Sequence, residues 1–240
     1  MRAIILVAGR GSRLPKNLSV NPKSYLKIGN QMIIEKLIKN FTESGIKRIS
    51  LVTGYKNHKF RKFKLKKFYN KKWKESNMVY SLYQADKWLN KYKCIVSYGD
   101  ILYEKQAVKN LILDKNLISV SYDTGWKKLW KMRFKNPLND AETFKISKQG
   151  NILEIGKKTN NYSNIQGQYM GLIKFEPKGW KIFKKCLKRN FNNYKNLYLT
   201  DVFQKLIENN HIVKAIKFNG KWAEVDSKKD YLIMKKIFKK

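Results

Sequence analysis

The sequence predicts an α/β fold: a mixed, mainly parallel sheet flanked by helices, with a small antiparallel insertion in the second half. Three observations predict it. The run RAIILVA at 2–8 is continuously apolar and partly β-branched, the pattern of a strand buried on both faces. Residues 31–44, QMIIEKLIKNFTES, put Ile34, Leu37, Ile38 and Phe41 on one helical face, and Gly45 stops that helix. KRISLVTG at 47–54 is a second strand, and strand, helix, strand in that order requires a parallel pair with helical cover.

The later elements follow in order. SNMVYSLYQADKWLN at 76–90 opens on a Ser/Asn cap and continues as an amphipathic helix. CIVSYGD at 94–100 is a third strand, followed by a helix near 104–113 and the strand LISVSY at 117–122. Beyond 123 the pattern changes. TFKISKQGNILEIG at 143–156 is two strands joined at Gln149-Gly150, and GQYMGLIKF at 167–175 is a further strand. Helices are expected near 178–188 and 199–210. VKAIKFNGKWAEVD at 213–226 has the form of a hairpin with an Asn-Gly turn, and a helix runs from about 228 to the end. There is no internal repeat, linker or low-complexity tail, so residues 1–240 are expected to form a single domain.

Hydrophobic residues make up 42% of the 240, enough for a packed core. No apolar run reaches the length of a membrane span, and AIILVAG is too short for a signal peptide. The two cysteines, Cys94 and Cys186, lie far apart and fit a reducing cytoplasm as buried small hydrophobes. The net charge of +36 favours anionic partners. Its densest run, 56–74, interleaves Phe60, Phe63, Leu65 and Phe68 with lysines. It is either an amphipathic segment with its lysines in water or a nucleic-acid-binding face. His58 and His211 have no partner motif, and no Ser-His-Asp or Cys-His arrangement is visible.

Candidate chemistry begins in VAGRGSRLPKNLSVNPK. Gly9 and Gly11 permit close backbone approach, loop amides can face phosphate oxygens, and Arg13 and Lys23 add positive charge. The stretch is neither a Walker A loop nor a dinucleotide fingerprint. Asp100 and Asp226 both end strands, where open α/β sheets bind ligands. They are suited to hold Mg²⁺, which uses one or two carboxylates plus phosphates, or else to cap the helices that follow. In 122–143, Trp126 and Trp130 lie one helical turn apart among the scarce acids Asp123, Asp140 and Glu142. Aromatic faces and carboxylates can hold an ammonium group, and Arg133 can grip a phosphate or carboxylate. Alternatively, the tryptophans are a core stripe and the acids pair with lysines.

The stretch ILVAGRGSRL…NPKSYLKIGNQMIIEKLIKNFTESGIKRISLVTGY, with SNMVYSL, VSYGDILY, LWKMRFKNPLNDAET, GQYMGLIKF and the late EVD, resembles the nucleotidyltransferase superfamily, in particular its phosphocholine-cytidylyltransferase-like branch. That branch includes enzymes for phosphocholine, aminoethylphosphonate and phosphoglutamine. One departure is RLPKNLS, whose proline stands one place early. The resemblance implies a Rossmann-like fold with a nucleotide-binding half at 1–122 and an acceptor-binding half at 123–240. It implies transfer of CMP from CTP to a small phosphorylated or phosphonate amine, with pyrophosphate released, for cell-surface glycan or lipid modification. Phosphoglutamine or aminoethylphosphonate is the slightly favoured acceptor. Mg²⁺ would sit on Asp100 and Asp226, and Arg13 and Lys23 would face the departing pyrophosphate. Ala8, Gly9, Gly11 and Ser12 would line the nucleotide site, with Gly54, Tyr55, Asn77 and Tyr80 near its base or ribose. Lys158, in EIGKK, would meet the acceptor phosphate, and Trp126, Trp130, Arg133, Asp140 and Glu142 the rest of the acceptor. The implied partners are therefore small molecules, without specific nucleic acid or a membrane span. A hexose-1-phosphate nucleotidyltransferase is the alternative within the superfamily, and a nucleic-acid-binding protein using 56–74 the alternative outside it.

Overall fold

The apolar run at 2–8 becomes β1 (Arg2–Val7), and its lack of alternation has a direct cause. Ala3, Ile5 and Val7 enter one core while Ile4 and Leu6 enter a second core on the opposite face. The computed structural model describes residues 1–239. After β1 come a short helix α1 (Lys16–Ser19), a small hairpin of β2 (Lys27–Ile28) and β3 (Gln31–Met32), and α2 (Ile33–Glu43). Ile33, Ile34, Leu37 and Phe41 of α2 are buried, as their helical spacing predicts. Gly45 takes a left-handed φ of 88° just past the helix, where a side chain would be strained. The chain then enters β4 (Ile49–Thr53), which pairs in parallel with β1.

The basic stretch folds as a 3₁₀ turn (Asn57–Lys62) and a sheet-edge strand, β5 (Lys66–Tyr69). Phe60 is fully buried and Phe63, Leu65 and Phe68 pack against the cores, so the apolar members serve packing. Next are α3 (Met78–Tyr83), α4 (Asp86–Leu89), β6 (Cys94–Tyr98), β7 (Ile101–Tyr103), α5 (Gln106–Leu113) and β8 (Ile118–Asp123). The second half holds α6 (Trp126–Arg133), the antiparallel pair β9 (Glu142–Ile146) and β10 (Ile152–Lys158), then β11 (Gln168–Phe175). It closes with α7 (Pro177–Asn190), α8 (Leu199–Glu208), β12 (Lys214–Phe218), β13 (Trp222–Glu224) and α9 (Lys228–Ile237).

The main sheet has seven strands in the order β12-β8-β11-β6-β1-β4-β5. Within it β11 alone runs antiparallel to its neighbours. Helices cover both faces, with α2, α5, α6 and α9 on one core and α3, α4, α7 and α8 on the other. The sheet class and the β9–β10 insertion match the sequence expectation.

The hairpin expected over 213–226 does not form. β12 pairs in parallel with β8, while β13 pairs antiparallel with β7, so the two strands part after the Asn219-Gly220 turn. Outside contacts hold the turn and draw β13 away. The Lys221 N–H donates to Glu104 at 3.2 Å, and Trp222 packs on Trp130 with ring centroids 6.0 Å apart. This divergence carries Asp226 to the C-terminal end of the main sheet, opposite the β1 loop.

Candidate active site

Four chain segments meet at one lysine. The loop after β1 brings Arg13, the turn at Pro22 brings Lys23, and the ends of β6 and β13 bring Asp100 and Asp226. Lys23 Nζ donates to Asp100 Oδ2 at 3.0 Å and to Asp226 Oδ1 at 2.7 Å, and Arg13 Nη2 donates to the same Asp226 oxygen at 2.7 Å. Neither aspartate is a helix cap. Asp100 leads into β7, and the cap of α9 is Ser227, whose hydroxyl accepts the Asp230 N–H in a reciprocal capping box.

The charges reinforce one another. Burial works against the Lys23 ammonium, but Asp100 and Asp226 outweigh it and hold its pKa above the ordinary lysine value. Burial likewise works against the Asp226 carboxylate, yet Lys23, Arg13 and Arg133 keep its pKa below the ordinary range. Burial raises Glu224, Arg133 opposes the rise, and Asp226, Asp100 and Asp140 add to it, leaving that carboxyl near 7.

Gly11 has a structural reason to be glycine. Its φ is +74°, and a Cβ there would stand 2.6 Å from Lys23 Cγ. Gly11→Ala is therefore expected to push Lys23 off its bridging position and lower kcat/KM roughly 10- to 100-fold, since misplacement near 1 Å costs that much. Steady-state kinetics beside a thermal melt checks it; unchanged kinetics would show that Lys23's placement is unimportant.

The loop, Lys23 and the strand ends border a cleft of about 290 Å³. Of the residues expected at the nucleotide, Ala8, Gly9, Gly11, Ser12 and Asn77 line it, together with Arg13, Lys23, Asp100 and Asp226. Asn77 also caps α3, its side chain accepting the Met78 N–H at 2.9 Å. Gly54, Tyr55 and Tyr80 do not line it. Gly54 lies tight beneath Trp73, the Tyr55 ring packs on Trp73 at 5.2 Å, and Tyr80 stacks on Tyr194. Trp73, which packs over both, lines the cleft where they do not. It was hidden in the sequence inside the lysine run.

A second pocket, of about 180 Å³, opens beside the first and shares Met78, Tyr98, Glu224 and Asp226 with it. Of the residues expected at the acceptor, Trp130, Asp140 and Glu142 line this pocket. Trp126, Asp123, Arg133 and Lys158 do not. Trp126 is 2% exposed and stacks on Tyr162, a core position. Asp123 closes a turn by accepting the Gly125 N–H. Lys158 is exposed, pairing with Glu142 only through backbone register.

Arg133 is the largest departure from expectation. Its side chain is 1% exposed and is surrounded by protein carboxylates instead of facing a ligand. Nε donates to Asp230 at 3.0 Å, Nη1 pairs with Glu224, and Nη2 lies 3.7 Å from Asp226 Oδ2. Asp230 in turn accepts the N–H groups of Asp226 and Ser227 at 3.2 and 2.8 Å. Arg133 and Asp230 thus fix Asp226 from behind.

Glu224 was not singled out in the sequence, although the period of a strand places it on the same face as Asp226. Tyr98, Gln168, Tyr169, Tyr198 and Thr200 also line the second pocket without a local sequence signal. A left-handed Gly171 seats the Tyr98 ring, since a Cβ there would lie 2.7 Å from it.

Comparison with known proteins now gives the family. Residues 3–127 match the MobA-like NTP transferase domain. The chain belongs to this family. It is similar to the CTP:phosphoglutamine cytidylyltransferase of Campylobacter jejuni, with 37% identity over 96% of this chain and 97% of that protein. The choline-phosphate cytidylyltransferase of Streptococcus pneumoniae is 28% identical over 64% of this chain and 67% of that one. Among solved structures, the inositol-1-phosphate CTP transferase of T. maritima superposes with a TM-score of 0.75 at 23% identity, covering 99% and 96% of the two chains. At that identity the likeness speaks for the fold. This MobA-like chain is a nucleotidyltransferase, and none of its helices among the described residues is long and apolar enough to cross a membrane.

Proposed function

We propose that the protein transfers CMP from CTP to a small phosphorylated or phosphonate compound bearing an amine or ammonium, releasing pyrophosphate. One observation carries the reading: Lys23 bridges Asp100 and Asp226 where the glycine-loop cleft meets the acidic pocket. The similarity to cytidylyltransferases supports the choice of CTP.

In this reading the acceptor's phosphorus-bound oxygen attacks the α-phosphorus. The new P–O bond forms as the bond to the β-phosphate oxygen breaks, and pyrophosphate carries away the electron pair. A phosphate dianion is already ionised near neutrality, its second pKa being about 6, so no general base is required. The work is positioning and charge neutralisation. Loop amides at Gly9 to Ser12, with Arg13 and Lys23, would take charge accumulating on the leaving pyrophosphate. Asp100 and Asp226 fit Mg²⁺, because two converging carboxylates are the protein share this cation commonly uses. When bound, it would neutralise phosphate charge and polarise the reacting centre. Burial of the two free cysteines accords with a reducing, cytoplasmic setting.

A pyrophosphate-release assay tests the proposal, pairing four nucleoside triphosphates with amine-bearing phosphates, phosphonates and hexose-1-phosphates. CTP with an amine-bearing acceptor is the expected productive pair. Turnover confined to hexose-1-phosphates would overturn it.

A further inference from the structure

We infer that Ser81, oriented by Asn70, selects CTP over UTP, its hydroxyl donating to N3 of the cytosine ring. This deepens the transferase reading and rests on it. The cleft straddles β1. Asp100 follows β6 on one side of that strand, and β4 and β5 lie on the other, so the charged centre and the segment after β5 border opposite parts of the cleft. That segment, NKKWKESNMVYS at 70–81, carries Lys71, Lys72, Lys74 and Glu75, yet only its neutral members Trp73, Ser76, Asn77, Met78 and Ser81 line the cleft. With its phosphates drawn to Arg13 and Lys23, a nucleotide bound here lays its base against this uncharged wall.

Asn70 fixes how the Ser81 hydroxyl can act. It stands just past β5 and is fully buried, and its N–H donates to the Thr53 carbonyl at 2.8 Å. Its side-chain oxygen accepts the Lys72 N–H at 2.9 Å, so the amide nitrogen must face the other way. That nitrogen donates to Ser76 Oγ at 2.9 Å and to Ser81 Oγ at 3.0 Å. Ser76 donates its own proton to the Lys72 carbonyl at 2.7 Å. Ser81, only 5% exposed, has no such acceptor for its proton among the described residues. An amide nitrogen only donates, so Ser81 Oγ is committed as an acceptor toward Asn70. Its hydroxyl proton is left for whatever occupies the cleft.

A hydroxyl held in this way distinguishes the two pyrimidines at one position. O2 is an acceptor in both rings, so a donor there reads nothing. At C4 a donor would favour the uracil carbonyl over the cytosine amino group. N3 is a bare acceptor in cytosine and carries a hydrogen in uracil, so a donor at N3 favours cytosine. Against uracil, the Ser81 oxygen would take a second N–H and its own proton would stay buried without a partner. A polar group left unpaired by the wrong substrate discriminates more strongly than a difference of shape.

Titration calorimetry with CTP and with UTP, each with Mg²⁺ and without an acceptor, tests the inference. The wild type should bind CTP roughly tenfold or more tightly than UTP, and Ser81→Ala should lower that ratio about tenfold, the effect of one unmade buried hydrogen bond. Asn70→Asp should lower it further. A carboxylate only accepts, so Ser81 would turn its proton toward residue 70 and offer its lone pairs to the base, which suits the uracil N3–H. A merely structural role for Asn70 would weaken both nucleotides alike and leave the ratio unchanged. Thermal melts verify folding, and Ser81→Ala alone decides if Asn70→Asp does not fold. Equal binding of CTP and UTP by the wild type, or an unchanged ratio in Ser81→Ala, would overturn the inference and leave the transferase reading standing. Binding of neither nucleotide would remove both.

Discussion

Asp226→Ala is expected to lower kcat on the order of 10³-fold while the fold persists, with Asp100→Ala close behind. The magnitude follows from what the side chain does. Asp226 is the point at which Lys23, Arg13 and Arg133 meet, and it is one of two carboxylates able to carry the divalent ion. Its loss removes a charge from the reacting centre and frees Lys23 from its fixed position. Losing one such preorganised electrostatic group typically costs 10²–10³ in turnover. The fold should survive, because Lys23 keeps Asp100 and Arg133 keeps Glu224 and Asp230. Asp226→Asn separates charge from shape, since it retains the volume and should be nearly as inactive. Single-turnover pyrophosphate release with a thermal melt decides the matter. A variant within tenfold of the wild type would place the centre elsewhere.

What the sequence disclosed, and what it withheld, follows from how local each signal is. The unbroken apolar run of β1 and the spaced Ile34, Leu37 and Phe41 of α2 are patterns within one segment, and both elements form where those patterns lie. Asp100 and Asp226 were legible for the same reason, since a carboxylate at a strand end can be recognised without knowing its partners. The missed hairpin at 213–226 shows the limit. Each strand was visible, but the partner of β13 is β7, more than a hundred residues away, and no local pattern encodes that choice. The second pocket is harder still. Its walls come from α3, the ends of β6 and α6, both strands of the insertion, β11, α8 and β13, so its residues converge only after folding. Arg133 was legible as a charge beside acids, but its direction was not. An arginine that grips a ligand and one that braces protein carboxylates have the same local sequence.

Arg133→Met gives the second large effect, on stability, and its pH dependence separates a brace from an ordinary packing residue. Arg133 is almost wholly buried, with Asp140, Glu224, Asp226 and Asp230 at its guanidinium. Removing one partner of a buried ionic cluster leaves the others uncompensated and commonly costs about 3–5 kcal/mol. The sign with pH follows from linkage. Without the guanidinium, burial and the neighbouring acids push the folded-state pKa values of Glu224 and Asp140, already raised against the opposition of Arg133, further above their unfolded values. Groups raised in this way stabilise the fold fully only below the unfolded pKa, and that stability is lost as pH rises through the folded value. Glu224 already stands near 7 with Arg133 in place, so its loss of stability extends to pH 8 and beyond once the cation is gone. The variant's deficit relative to wild type should therefore be modest at pH 5 and largest near pH 8, measured by denaturant unfolding at both. Arg133→Lys should fall between, since it keeps the charge but cannot reach four carboxylates with one planar group. A deficit that is the same at both pH values would mean that Arg133 stabilises by packing alone, and Asp226 would then need another explanation for its fixed orientation.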